Sequence, residues 1–139
     1  MDFNNCACSG KTLGRLLQPA VMGLLARQPL HGYVIVQRLA SLAMLKGQSP
    51  DPAGIYRLLK SMEDDGLVKS AWDLAESGPA KRRFELTASG RACLGRWVRT
   101  LERYEQAIDE LLASIRPCCG GTRKRTTAKR ATRTCCGAR

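Results

Sequence analysis

Two kinds of side chain in this sequence have the means to do chemistry: seven cysteines, and a surplus of arginine and lysine. Six of the cysteines fall near the ends, as Cys6-x-Cys8, Cys118-Cys119 and Cys135-Cys136, and only Cys93 lies in a periodic segment. Tetrahedral zinc sites usually space their thiolates as Cys-x₂₋₄-Cys, which gives each sulfur its own direction. Vicinal cysteines chelate poorly through both sulfurs. Cys6, Cys8, Cys118, Cys119, Cys135 and Cys136 are therefore a weak metal set, and no cofactor is expected. With one histidine, His31, and no Gly-x-Ser-x-Gly, a nucleophile–base pair would need His31 and a cysteine far away in sequence. A histidine in a tight turn is more often structural, and Cys93 reads as an inert thiol, buried or half-buried. The chain is not expected to be an enzyme.

The charge is more informative. Basic residues outnumber acidic ones 23 to 12, a formal net charge of +11. Arg123, Lys124, Arg125, Lys129, Arg130, Arg133 and Arg139 carry +7 of it, and residues 1–116 the remaining +4. A basic tail on a mildly basic body suits a polyanion, since each phosphate neutralised releases a condensed counterion. That argument alone does not separate DNA from RNA or anionic lipid.

These groups need elements to position them. The chain has 139 residues, 44% of them hydrophobic, which is enough for one core and too short for a large catalytic barrel. It has no apolar run of membrane-spanning length and no secretory h-region, so a cytoplasmic location and no membrane partner are expected. Residues 1–11 read as a loose arm. Leu13, Leu16, Leu17, Ala20, Val21, Leu24 and Leu25 recur at helical spacing. Thr12 is placed to cap that helix, and Pro19 either kinks it or restarts it. After a turn at 29–33, Ile35, Val36, Leu39 and Leu42 mark a second helix. Ile55, Leu58, Leu59 and Met62 mark a third, capped by Asp51 and ended at Gly66.

The period then changes to two. Residues 67–72 and 83–86 form a hairpin around the turn Ser77-Gly78-Pro79. Thr87 opens a long last helix whose apolar positions are Leu94, Trp97, Leu101, Tyr104, Ile108, Leu111 and Ile115. Their alternating steps of three and four make a heptad seam, which predicts a homodimer. Pro117 closes the helix, and residues 117–139 are low in complexity. The fold class is mainly α with a small β-hairpin (α+β), a winged helix-turn-helix over 12–87 followed by a dimerisation helix over 88–116.

Four blocks then carry a resemblance. Leu30-His31-Gly32-Tyr33, Gly54-Ile55-Tyr56-Arg57-Leu58-Leu59, Met62-Glu63-Asp64-Asp65-Gly66-Leu67-Val68 and Phe84-Glu85-Leu86-Thr87-Ala88-Ser89-Gly90 resemble, in that order, the PadR-type transcriptional regulators. Within that family, Gly10-Lys11-Thr12-Leu13 and the run from Ser77 to Arg82 are most similar to members described as polyhydroxybutyrate-responsive repressors. The resemblance implies a cytoplasmic homodimer that binds a palindromic double-stranded DNA operator, represses transcription and is relieved by a small-molecule effector. It covers roughly residues 13–115 and does not include the cysteine-bearing tails.

In a helix-turn-helix reader the start of the recognition helix enters the major groove. Here that helix begins near Pro52 and offers Ala53, Gly54, Tyr56, Arg57 and Lys60. Gly54 lets a backbone approach, and Arg57 suits guanine O6 and N7. Tyr56 reads as a phosphate or sugar contact, or else as an aromatic brace. The wing, 73–83, offers Lys81, Arg82 and Arg83, with Arg82 on the strand face opposite the other two. Trp97 and Tyr104 read as dimer packing or as walls of an effector pocket. Two rival readings stay open: a thiol- or metal-responsive sensor working through the cysteine tails, and a basic RNA-associated protein. The 5% aromatic content counts against RNA-stacking platforms.

Overall fold

The computed structural model describes residues 16–42, 50–74 and 78–119. Thr12, the N-terminal arm, Cys6, Cys8, Cys135, Cys136 and most of the basic tail lie outside them. In chain order the elements are α1 (Leu17–Arg27), β1 (Leu30–His31), α2 (Gly32–Ala40), α3 (Pro52–Asp64), β2 (Val68–Asp73), β3 (Lys81–Leu86) and α4 (Ala88–Ile115). A 3₁₀ turn, Arg116–Cys119, follows.

Of the two placements open to Pro19, the structure has the one in the first turn of a helix, α1, where its missing N–H would have no intrahelical partner. α3 starts at Pro52, and the Asp51 carboxylate accepts from the Ala53 N–H at 3.3 Å. At its end Gly66 takes φ +75°, a left-handed conformation that costs glycine little. Gly66 N–H then donates to Glu63 O at 3.0 Å and Leu67 N–H to Met62 O at 2.8 Å, the paired bonds of a Schellman motif. The chain turns directly from helix into β2.

The hairpin is present, its first strand shifted by one residue and its second starting two residues earlier than the sequence period suggested, Val68 opposite Leu86 through Asp73 opposite Lys81. The turn expected at 29–33 is different. Leu30 and His31 pair with Phe84 and Arg83, which makes a three-stranded antiparallel sheet in the order β1-β3-β2. Two residues are too few to show a period of two, whereas the burial of Leu30 needs a partner strand to be visible at all. α2 likewise starts earlier, at Gly32.

Two compact units are present, Met1–Glu102 and Arg103–Arg139. In the first, Val21, Met22 and Leu25 of α1, Leu30, Ile35 and Leu39, Ile55, Leu59 and Met62 of α3, and Val68, Phe84 and Leu86 of the sheet form the core. Each such side chain taken from water contributes about 1.5–3 kcal/mol. Cys93, Leu94 and Trp97 pack half-buried against it. The start of α4 is fixed by Thr87, whose Oγ1 accepts from Gly90 N–H at 3.0 Å and lies 2.7 Å from Gly66 O, to which it donates. Gly90 is buried, and the position takes glycine because a Cβ there would overlap the Leu67 carbonyl oxygen. In the second unit α4 carries Tyr104, Ile108, Leu111 and Ile115, all exposed.

Candidate nucleic-acid interface

The first half of α3 puts Ala53, Tyr56, Arg57 and Lys60 in solvent, away from the buried Ile55, Leu59 and Met62. Arg57 lies 3.9 Å from Asp51 and Lys60 3.9 Å from Asp64. Exposed pairs of this kind are worth about 0–1 kcal/mol, so either cation is readily given up to a phosphate or a base. Gly54 is half-buried, yet a Cβ there would meet only Arg57 Nη2 and Asp51 Cβ, each at 4.0 Å. Among the described residues nothing demands a glycine at that position.

Tyr56 lies between helix packing and solvent. Its ring lies where a Cβ on Gly32 would be, 2.6 Å from Cε1, so it braces α3 against the start of α2. It nevertheless remains 44% exposed.

The wing divides its cations between two faces. Lys81 and Arg83 are exposed, and the Lys81 ammonium sits 5.2 Å from the centre of the Tyr33 ring. Tyr33 stacks on His31, whose Nε2–H donates to Asp73 Oδ2 at 2.7 Å. His31 therefore ties β1 to the far end of β2. Arg82, on the other face, is engaged inward. Its Nε–H donates to Ser70 Oγ at 2.9 Å and its Nη2–H to Glu63 Oε2 at 2.5 Å. The Ser70 hydroxyl donates to Glu63 Oε1 at 2.5 Å. The guanidinium also lies 5.4 Å from the Phe84 ring centre and 5.9 Å from that of Trp72. The Ser70 hydrogen bond, with Arg82 and Lys60 adding positive charge and partial desolvation opposing them, holds the Glu63 carboxyl below its ordinary value of 4.5.

Sequence reasoning did not single out Glu63, Ser70, Trp72, Asp73 or Tyr33. Strand parity puts Ser70 and Arg82 on one face with Val68 and Phe84. Nothing local says that Glu63 reaches across to them.

The seam residues also divide. Leu94 and Trp97 turn toward the core of their own chain and Leu101 is half-buried, a distinction heptad spacing does not make. Cys93, Arg96, Trp97 and Thr100 line a shallow hollow of about 190 Å³. Cys118 and Cys119 are exposed free thiols, and among the described residues no three His, Cys, Asp or Glu side chains gather as a metal site would require. No helix among the described residues is long and apolar enough to cross a membrane.

A sequence model described as the transcriptional regulator PadR-like family matches residues 21–96. No curated protein matches the sequence. Among solved structures, a candidate transcriptional regulator of Thermoplasma acidophilum is similar at TM-score 0.64 and 27% identity, over 74% of this chain and 96% of that one. A PadR-like regulator of Bacillus cereus gives 0.63 at 18% identity, over 73% and 96%, a likeness of fold. Bacillus subtilis PadR, solved in complex with operator DNA, gives 0.53 at 29% identity, over 60% of this chain and 46% of that protein, so just under half its length is matched. Domain model, winged-helix architecture and long closing helix agree: the chain belongs to the PadR-like family of transcriptional regulators, which are not enzymes.

Proposed function

We propose that this chain is a repressor that binds a palindromic operator as a homodimer. Residues 12–87 form its reading head, 88–116 its dimerisation helix, and 1–11 and 117–139 flanking arms. The observation that carries the reading is the outward face of α3, where Ala53, Tyr56, Arg57 and Lys60 stand exposed beside a wing bearing Lys81 and Arg83. In this arrangement Arg57 reads a base edge, worth about 1–3 kcal/mol of discrimination, while the wing cations hold phosphates and position the domain. The operator complex of Bacillus subtilis PadR supports DNA as the partner.

The hollow beside Trp97 is smaller than the roughly 300 Å³ at which small-molecule sites begin. An effector bound there would therefore need walls from beyond this face of α4. The finer likeness to polyhydroxybutyrate-responsive repressors rests on residues 10–13 and 77–82, and an effector tied to that storage polymer is the corresponding proposal.

Selection of duplexes from a random-sequence pool by the full chain tests the reading. A palindromic site should emerge, and Tyr56→Ala with Arg57→Ala should abolish its retention in a gel shift while the oligomeric state is kept. Undiminished binding by the double variant would refute the groove assignment.

A further inference from the structure

We propose that Arg82 is a positioning residue for DNA reading: with Glu63 and Ser70 it clamps the wing to the end of α3, leaving the wing's phosphate contacts to Lys81 and Arg83. This rests on the operator reading above and assigns the wing residues within it.

The clamp joins three elements. Glu63 stands in the last turn of α3, Ser70 in the middle of β2 and Arg82 in β3. The Arg82 guanidinium spends one edge on this ring, Nε–H to the Ser70 hydroxyl at 2.9 Å and Nη2–H to Glu63 at 2.5 Å. Ser70 closes the ring by donating to the other carboxylate oxygen. Each Glu63 oxygen thus has its own donor, and each donor comes from a different strand of the wing. Aromatic rings stand within 6 Å of the same guanidinium, namely Phe84 from the core and the exposed Trp72, its cross-strand partner. To touch a phosphate, Arg82 would have to leave a charge-assisted pair, a hydroxyl and two π faces. Lys81 and Arg83 lie on the opposite face of the sheet, where the only such hold among the described residues is the Tyr33 ring beside Lys81.

The position of the clamp gives it its role. α3 and the wing are separate chain segments that must meet two parts of one duplex, and the angle between them decides whether both can do so together. The Schellman turn at Gly66 and the shared core of Met62, Val68 and Phe84 hold the base of the wing against α3. The clamp adds a second point farther along the wing, which is what fixes an angle.

The two roles of Arg82 make opposite predictions for Glu63→Gln. If Arg82 were a phosphate contact, removing its carboxylate would free it and make the face more positive, so DNA would bind more tightly. If Arg82 positions the wing, the same change should weaken binding of the selected duplex about tenfold, the scale of one charge-assisted hydrogen bond. The dependence on salt should not change, since no phosphate contact is lost. Arg82→Lys keeps the charge but not the two-pronged edge, and should behave like Glu63→Gln. Ser70→Ala leaves every charge in place and should also weaken binding at unchanged salt slope, which keeps the test open if either charged variant folds poorly. Lys81→Ala, by contrast, should lower the log–log salt slope by about 0.9 if it holds one phosphate. Amide hydrogen exchange along β2 and β3 of the free protein reads the clamp without DNA, and should accelerate in Glu63→Gln and Ser70→Ala. Failure to select any duplex would sink the operator reading and leave exchange to decide the clamp. Tighter or unaltered binding by Glu63→Gln, or unaltered exchange, would overturn the positioning role.

Discussion

At Gly54 the interests of the fold and of the interface diverge. It occupies the first turn of α3, an added Cβ would meet nothing nearer than 4.0 Å, and its φ is not positive. Alanine there should stabilise the protein by about 0.5–1 kcal/mol, because glycine loses more backbone freedom on folding. If the α3 backbone lies against DNA, the same methyl group stands in the way. Gly54→Ala is therefore expected to raise the thermal midpoint by a few degrees and to weaken duplex binding. A variant that melts higher and binds equally well would remove the close-approach role. Tyr56 makes the neighbouring point in reverse. Its ring needs Gly32 bare, so the glycine of the Leu30-His31-Gly32-Tyr33 block serves a contact with α3, and its spacing along the chain does not reveal that.

The elements themselves were largely legible where a period runs long enough to be read. α3, the hairpin and α4 follow from apolar spacing and from caps at Asp51 and Thr87 that the structure bears out. β1 was not legible, since Leu30 and His31 become a strand only because Phe84 and Arg83 lie beside them. The clamp was half legible. Parity gave the face of Arg82, but its carboxylate partner is 19 residues away on another element. A pH titration isolates that link between elements. The folded-state pKa of Glu63 is depressed, so its contribution to stability is fully present above the ordinary value near 4.5 and is lost as pH falls through the lower folded value. Once protonated, Glu63 resembles glutamine. Melting curves of wild type and Glu63→Gln should differ at pH about 6 and converge once the pH falls through the lowered folded value. A gap that persists in acid would assign the clamp's stability to something other than this carboxylate.

For the whole molecule the question is what covers α4. Within the second unit Tyr104, Ile108, Leu111 and Ile115 are 51%, 56%, 59% and 44% exposed, at steps of four, three and four along one stripe. Large apolar side chains in such register rarely face water throughout a protein's life, and burying each contributes about 1.5–3 kcal/mol. A second copy of the same stripe is the partner proposed here, because heptad spacing is self-complementary between two helices. The sequence seam began at Leu94, whereas Leu94 and Trp97 serve their own core, so the free part of the seam starts after Leu101. Dimerisation should then depend on the later positions. Ile108→Glu with Leu111→Glu is expected to give single chains by sedimentation with the winged-domain fold retained by circular dichroism. Operator affinity should fall steeply, since half-sites one turn of duplex apart, about 34–36 Å, can be held together only by a pair. Truncation after Arg116 separates the contribution of the tail: losing +7 of the net +11 should flatten the salt dependence while leaving sequence preference intact. Wild-type protein that sediments as single chains at micromolar concentration yet protects both half-sites would show that the stripe has another partner.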